Sequence, residues 1–74
     1  MSATANNLET FAKLLRARRK ALRFTQEDVG DLSGVRRQTV GRLEAADPTV
    51  SVGTAMRIAD VLGIDIGDRA NSTA

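Results

Sequence analysis

Apolar residues recur three or four positions apart along most of the chain, which is the spacing of one buried helix face. The first such stretch predicts a helix over about residues 8–22, which Asn7 can cap. The apolar side of this helix is predicted to consist of Phe11, Leu14, Leu15, Arg18 and Leu22. Basic side chains fill its other faces.

Two shorter helices are predicted between Thr25 and Glu44, with a tight turn at Gly34 between them. Thr25 is a good N-cap, and Asp28 three residues later can complete a capping box. Gly30 has no side chain, so the next helix can approach it very closely. Gly34 can adopt the positive φ at which many helices end. The residues predicted to point inward are Val29, Leu32, Val35, Val40 and Leu43.

A fourth helix is predicted after Pro48, because proline and the residue before it interrupt the pattern of the third. Ser51 can cap this helix and Gly63 can end it. Its apolar stripe is predicted to consist of Val52, Ala55, Met56, Ala59 and Leu62. Beyond it, apolar and acidic residues alternate, and whether residues 64–68 form a short strand or a fifth helix stays open.

These elements predict an all-α fold, a compact four- to five-helix bundle that forms one domain over residues 7–68. A chain of 74 residues has room for one small core. The segments at the two ends, residues 1–6 and 69–74, are small and polar without periodicity. We therefore predict a disordered N-terminal arm and a flexible C-terminal tail.

The composition narrows the chemistry that we expect of the chain. It has no cysteine and no histidine, so we expect no disulfide, no metal site and no cofactor. An enzyme is disfavoured because the carboxylates are scattered and no glycine-rich phosphate loop is present. No apolar run approaches the roughly twenty residues of a membrane span, so we expect a cytoplasmic protein without a membrane partner.

The net charge of +2 conceals a division of charge along the chain. Residues 1–24 carry six basic residues against Glu9 alone, a net charge of +5, whereas the part from Ala45 onward has a net charge of −2. A basic end suits a polyanion, and an acidic end leaves a face for another partner. The alternative is that these charged side chains are simply solvated on exposed helix faces.

The outward face of the third predicted helix is rich in donors that suit base edges and phosphates. Together with the helix before it, this predicts a helix-turn-helix that binds the major groove of double-stranded DNA. Base contacts are expected from Arg37, Gln38 and Arg42. Phosphate contacts are expected from Gln26, Arg36 and Thr39, the last of which can instead contact a thymine methyl. The alternative is an ordinary helical hairpin with solvated side chains.

The helix pair at Thr25 to Glu44, with its Thr-Gln start, resembles the Cro/C1-type helix-turn-helix family, also called the xenobiotic-response-element (XRE) family of bacterial and phage regulators. The resemblance covers about residues 8–66, and residues 42–64 look most like HipB-type antitoxins, which pair with HipA-type kinases. It implies a lambda-repressor-like fold and a two-fold dimer that binds a palindromic operator and represses its own operon. It also implies a structural ion pair between Arg19 and Glu44. Arg36 stands where many relatives have a capping serine or threonine.

Two functions follow from these observations. The first is a sequence-specific repressor, and the second is an antitoxin that holds a HipA-type kinase inactive and binds DNA secondarily. The two are compatible, and a kinase-like neighbouring gene would distinguish them. We expect a homodimer because the half-site of one helix spans only a few base pairs. Its interface is predicted at Leu62, Ile64 and Ile66, whose apolar side chains exceed what a four-helix core can cover.

Overall fold

The computed structural model describes residues 7–65 of the chain and contains four helices in this range. They are α1 (Asn7–Ala21), α2 (Gln26–Ser33), α3 (Arg37–Glu44) and α4 (Val52–Val61). The prediction of an all-α helical bundle is confirmed. Ile64 and Asp65 adopt no regular secondary structure. The predicted arm, the predicted tail and the remainder of the segment that was left open as strand or helix lie outside the described residues.

The core is formed where α2, α3 and α4 pack together against α1. Its fully buried apolar side chains are Leu15, Val29, Val40, Leu43, Ile58, Ala59 and Leu62. Each helix contributes at least one of these residues, so none of the four folds away from the others. Phe24 and Val35 are partly buried against the same cluster, and they lie in the two short connections that flank α2.

Helix α1 buries only part of the apolar side that the sequence pattern predicts. Ala12, Leu15 and Arg19 are buried, whereas Leu14 and Leu22 are 48% and 38% exposed. Consecutive helical residues point about 100° apart, so Leu14 and Leu15 cannot both face the centre of the core. Leu15 is buried and Phe11 is partly buried, as predicted. The prediction was wrong for Leu14, Arg18 and Leu22, because the buried row runs through Arg19 instead.

Helix α2 begins at the predicted capping box. The Thr25 hydroxyl accepts from the backbone N–H of Asp28 at 3.0 Å, and the Thr25 N–H donates to the Asp28 carboxylate at 2.8 Å. Leu32, predicted to face inward, is 60% exposed. Ser33 takes the inward position instead, because its hydroxyl donates to the Val29 carbonyl at 2.6 Å and is therefore satisfied although buried.

The turn between α2 and α3 depends on two glycines, as predicted. Gly34 ends α2 in the left-handed region, with φ of 75°. Gly30 is buried so close to the turn that a Cβ there would lie 2.7 Å from the Val35 carbonyl oxygen. The same Cβ would lie 3.3 Å from the backbone nitrogen of Arg37, the first residue of α3. The missing side chain therefore sets how closely α2 and α3 approach.

Helix α4 is capped at both ends as predicted, and its buried face agrees with the prediction in part. The Ser51 hydroxyl accepts from the Thr54 N–H at 3.1 Å, and Gly63 follows the helix at a φ of 71°. Val52 and Met56, predicted to lie in the apolar stripe, are 74% and 43% exposed. Ala59 and Leu62 are buried as predicted, and the helix is rotated so that Ile58, which was not predicted to be buried, faces the core beside them.

The burial of Leu62 also changes the predicted dimer interface. Leu62 is 1% exposed, so its side chain fills the core of its own domain and has no surface left for a partner. The carbonyl of Leu62 accepts from the side chain of Arg18 at 2.9 Å, which ties α1 to the end of α4. Ile64 is partly buried against the core, and Ile66 lies outside the described residues.

Candidate nucleic-acid interface

Helix α3 presents one face to the core and the opposite face to solvent. Val40 and Leu43 are 0% and 1% exposed, so they fix the rotation of the helix about its axis. Gln38 and Arg42 are both exposed and lie about 40° apart around that axis, one turn from each other. The structure therefore brings these two predicted base-contacting residues together at the centre of the outward face.

Arg37, the third predicted base-contacting residue, lies nearer the edge of that face. It is exposed, and it points about 100° away from Gln38 around the helix axis. Its side chain lines a concavity between the end of α1 and the starts of α2 and α3. This position suits a phosphate beside the groove as well as a base edge at its margin.

The concavity is rich in positive charge. The side chains that line it are Arg19, Lys20, Arg23, Phe24, Thr25, Gln26, Glu27 and Arg37. Lys20 and Arg23 are exposed, and the first backbone N–H groups of a helix have no partner within it, so α2 adds partial positive charge. Lys20 and Arg23 were not among the predicted DNA contacts, although the basic charge of residues 1–24 was the signal for them.

Gln26 is held between α2 and α3. Its side-chain amide donates to a carboxylate oxygen of Glu44 at 3.2 Å, and its carbonyl oxygen would lie 3.4 Å from a Cβ on Gly41. A Cβ at Gly41 would therefore meet the end of the glutamine side chain at an ordinary contact distance. Gln26 is half-buried at the first position of α2.

The other two predicted phosphate contacts lie at the start of α3. Arg36 is exposed and is the N-cap residue, and its side chain makes no capping hydrogen bond. This is the consequence expected where an arginine replaces serine or threonine. Thr39 is half-buried in the first turn of α3. Arg36 is therefore an exposed cation at the start of α3, whereas Thr39 is partly covered.

The structure contains the ion pair that the family resemblance implies. Arg19 Nε and Nη2 donate to the two carboxylate oxygens of Glu44 at 2.6 and 3.1 Å, and the side chains are 11% and 5% exposed. Arg19 Nη1 also donates to the Phe24 carbonyl at 2.9 Å. The hydrogen bond to Glu44 raises the pKa of Arg19. Through this pair α1 holds the end of α3, and so the angle at which α3 meets the rest of the domain.

A second charged network follows the outward end of α3. Arg42 Nε donates to Asp47 Oδ2 at 3.0 Å, and Arg42 Nη2 donates to the Thr49 hydroxyl. Asp47 Oδ1 accepts from both the hydroxyl and the backbone N–H of Thr49, at 2.6 and 2.8 Å. Asp47 and Thr49 were not among the predicted site residues. Their signal was an aspartate followed two residues later by an N–H donor, the spacing of an Asx turn.

The family comparison agrees with this geometry. A family model described as Helix-turn-helix matches residues 15–68, which include α2, α3, α4 and part of α1. The chain belongs to the XRE-type helix-turn-helix family. This helix-turn-helix protein is therefore a DNA-binding transcription regulator, from a family of domains that bind DNA rather than catalyse reactions. No curated protein matches the chain significantly.

Two further properties of the helix-turn-helix protein concern metal binding and membrane spans. Within residues 7–65, no group of histidine, cysteine, aspartate and glutamate side chains is arranged to bind a metal ion. None of the helices in the same range combines the length and the apolarity that crossing a membrane requires.

The Asp47 network predicts an unusual titration. The Thr49 hydroxyl, the Thr49 N–H and Arg42 together lower the pKa of Asp47 from 3.8 to about 2. A carboxylate whose pKa falls on folding stabilises the folded state above its ordinary pKa, and this contribution is lost as the pH falls towards the folded value. We expect the Asp47 carboxyl carbon to titrate with a midpoint near pH 2 in an NMR experiment. A midpoint at or above its ordinary value would show that the network is open in solution.

Proposed function

We propose that this protein is a sequence-specific repressor that binds a palindromic operator through α3 as a homodimer and controls its own operon. The observation that carries the proposal is the placement of Gln38 and Arg42 together on the exposed face of α3. Val40 and Leu43 hold the opposite face in the core, so the two side chains can enter the major groove without disturbing the fold.

The proposed DNA contacts divide into those that recognise the base sequence and those that position α3 on the duplex. Arginine suits the two acceptors of guanine, and glutamine suits adenine, so Gln38 and Arg42 are proposed to read bases, with Arg37 beside them at the edge of the groove. Residues proposed to contact phosphates are Gln26, Arg36, Thr39, Lys20 and Arg23. Such phosphate contacts orient α3 on the duplex and supply the affinity that depends on salt.

A homodimer is proposed because one copy of α3 reads only a few base pairs, whereas two copies related by a two-fold axis read both halves of a palindrome. Leu62 is withdrawn from the proposed interface because it belongs to the core. Ile64, partly buried just after α4, and Ile66 after it remain the proposed contributors from the end of the domain. Sedimentation of the complex should then give two chains for each duplex.

The alternative function is an antitoxin that binds and neutralises a HipA-type kinase, with DNA binding for autoregulation of the operon. One structural observation favours a protein partner. Leu8, Leu14, Val52 and Met56 are exposed and line one groove between α1 and α4. Exposed apolar patches of this kind are typical of protein contacts. Co-purification with a kinase encoded by the adjacent gene, and inhibition of that kinase, would support this alternative.

The first test separates residues that read bases from residues that contact phosphates. The operator is first selected from a pool of random duplexes with the wild-type protein. Replacing Gln38 with alanine should then reduce the preference for operator over scrambled duplex by about 1–3 kcal/mol and leave the salt dependence nearly unchanged. Replacing Arg36 with alanine should weaken binding to both duplexes alike. It should also reduce the slope of log affinity against log salt by about one unit.

Competition titrations at several salt concentrations measure both effects, and Arg57→Ala is the matched control. Arg57 is an exposed cation on α4, so its removal should leave the preference for operator unchanged. If Gln38→Ala weakened binding to both duplexes equally while Arg36→Ala weakened binding to the operator alone, the reading face would be assigned wrongly. If the wild-type protein selected no sequence, specific recognition itself would be refuted.

A further inference from the structure

We propose that Asp47 and Thr49 are positioning residues for base recognition, because together they hold the Arg42 guanidinium so that its free edge reads a guanine. This inference rests on the proposed function of α3 and deepens it. It assigns the loop after α3 a part in sequence specificity, although neither Asp47 nor Thr49 lies on the helix itself.

The hydrogen bonds occupy one part of the guanidinium and leave another free. A guanidinium has five N–H groups in a fixed plane. The Nε–H group of Arg42 donates a hydrogen bond to the Asp47 carboxylate, and one N–H of Nη2 donates to the Thr49 hydroxyl. The other N–H of Nη2 and the two of Nη1 remain. Nη1 and Nη2 form the end of the fork, and two parallel N–H groups from that end suit the O6 and N7 acceptors of guanine.

The loop is built so that its acidic side chain returns to Arg42. The backbone N–H of Asp47 donates to the carbonyl of Arg42 at 3.0 Å, so the chain closes on the residue whose side chain it holds. Ala46 makes this reversal in the left-handed region, at a φ of 61°. The Thr49 hydroxyl donates to Asp47 and accepts from Arg42, which closes a ring of three side chains.

The charge of Asp47 favours base recognition over phosphate contact. The Arg42 side chain is 52% exposed, so an unpaired arginine there would be attracted to any nearby phosphate. The carboxylate beside it cancels much of that attraction and repels phosphates. A guanine still offers two acceptors to the fixed end of the fork. Arg42 therefore contributes more to discrimination between sequences than to general affinity, and its rotamer is already ordered before binding.

The test compares Asp47→Ala, Thr49→Val and Arg42→Ala, alone and combined, against duplexes selected by the wild-type protein. Asp47→Ala should lower the preference for operator over scrambled duplex by about tenfold, the size of one good base contact. The lost preference should fall at the same base pair as in Arg42→Ala. When Arg42 is already alanine, Asp47→Ala should have no further effect on that preference. Thr49→Val should act in the same direction while keeping the carboxylate.

The outcomes separate this inference from the proposed function. Three outcomes would overturn the positioning role. An unchanged preference in Asp47→Ala would show that Asp47 has no role in specificity, and tighter operator binding would show that Asp47 holds Arg42 away from the DNA. An equal loss of preference in the Arg42→Ala background would indicate a general defect of the loop. A wild-type protein that selects no sequence would overturn the proposed function and this inference with it. If Asp47→Ala did not fold, by circular dichroism, Thr49→Val would decide the question by the same readout.

Discussion

Replacing Glu44 with glutamine should lower the free energy of unfolding by about 3 kcal/mol. The change keeps the shape of the side chain but leaves the Arg19 guanidinium buried without its counter-charge, and the two side chains are only 11% and 5% exposed. The free energy of unfolding of native proteins is only about 5–15 kcal/mol, so a large part of the stability would be lost. Thermal unfolding followed by circular dichroism should show a Tm lower by roughly 10 °C or more.

The matched control for this prediction is Asp47→Asn, the same chemical change in the exposed ion pair of Arg42. We expect this control to change the Tm far less, because surface pairs are solvated and contribute little. A second comparison uses a double variant in which Arg19 and Glu44 are both replaced by leucine. It should recover part of the loss, because no buried charge remains unpaired. Equal Tm values for Glu44→Gln and the parent would mean that the pair is open in solution.

The parts of the fold that the sequence predicted well are those determined by neighbouring residues. A capping threonine with an aspartate three positions later needs only its own segment, and Thr25 and Asp28 pair as expected. The same holds for Gly34, whose conformation follows from the absence of a Cβ. Helix ends and turns were therefore predictable, because their causes lie within a few residues.

The rotation of α1 and α4 was not predictable in the same way. Both helices carry more apolar residues than one face can hold, and the choice between neighbouring rows depends on what packs opposite. In α1 that choice was made by Arg19, which is buried because Glu44, 25 positions later, supplies its counter-charge. The apolar pattern included Leu14 and Leu22, which are exposed in the structure, and it left out Arg19, which is buried.

The candidate site shows the same division. The outward direction of Gln38 and Arg42 followed from the inward direction of Val40 and Leu43, because all four lie on one short helix. The network around Arg42 did not follow, because it depends on how the chain returns after α3. That return uses a left-handed alanine at position 46, a conformation that sequence patterns do not anticipate for a residue with a Cβ.

Replacing Gly30 with alanine should lower the free energy of unfolding by about 2 kcal/mol, although alanine is the better helix former. The new Cβ would lie 2.7 Å from the Val35 carbonyl oxygen and 3.3 Å from the Arg37 nitrogen. Both are backbone atoms, so relief requires α3 to move away from α2. Because that motion also displaces the reading face, binding to the selected operator should weaken in the same variant, as measured by titration below the Tm.

The matched control is Gly53→Ala in α4, where a Cβ would meet no atom within 4 Å. This substitution gains helix propensity without a clash, so it should raise the free energy of unfolding by up to about 1 kcal/mol and leave operator binding unchanged. The two variants carry the same chemical change, and their opposite signs isolate the close approach of α2 and α3. If Gly30→Ala were as stable as Gly53→Ala, the two helices would lie farther apart than the structure shows.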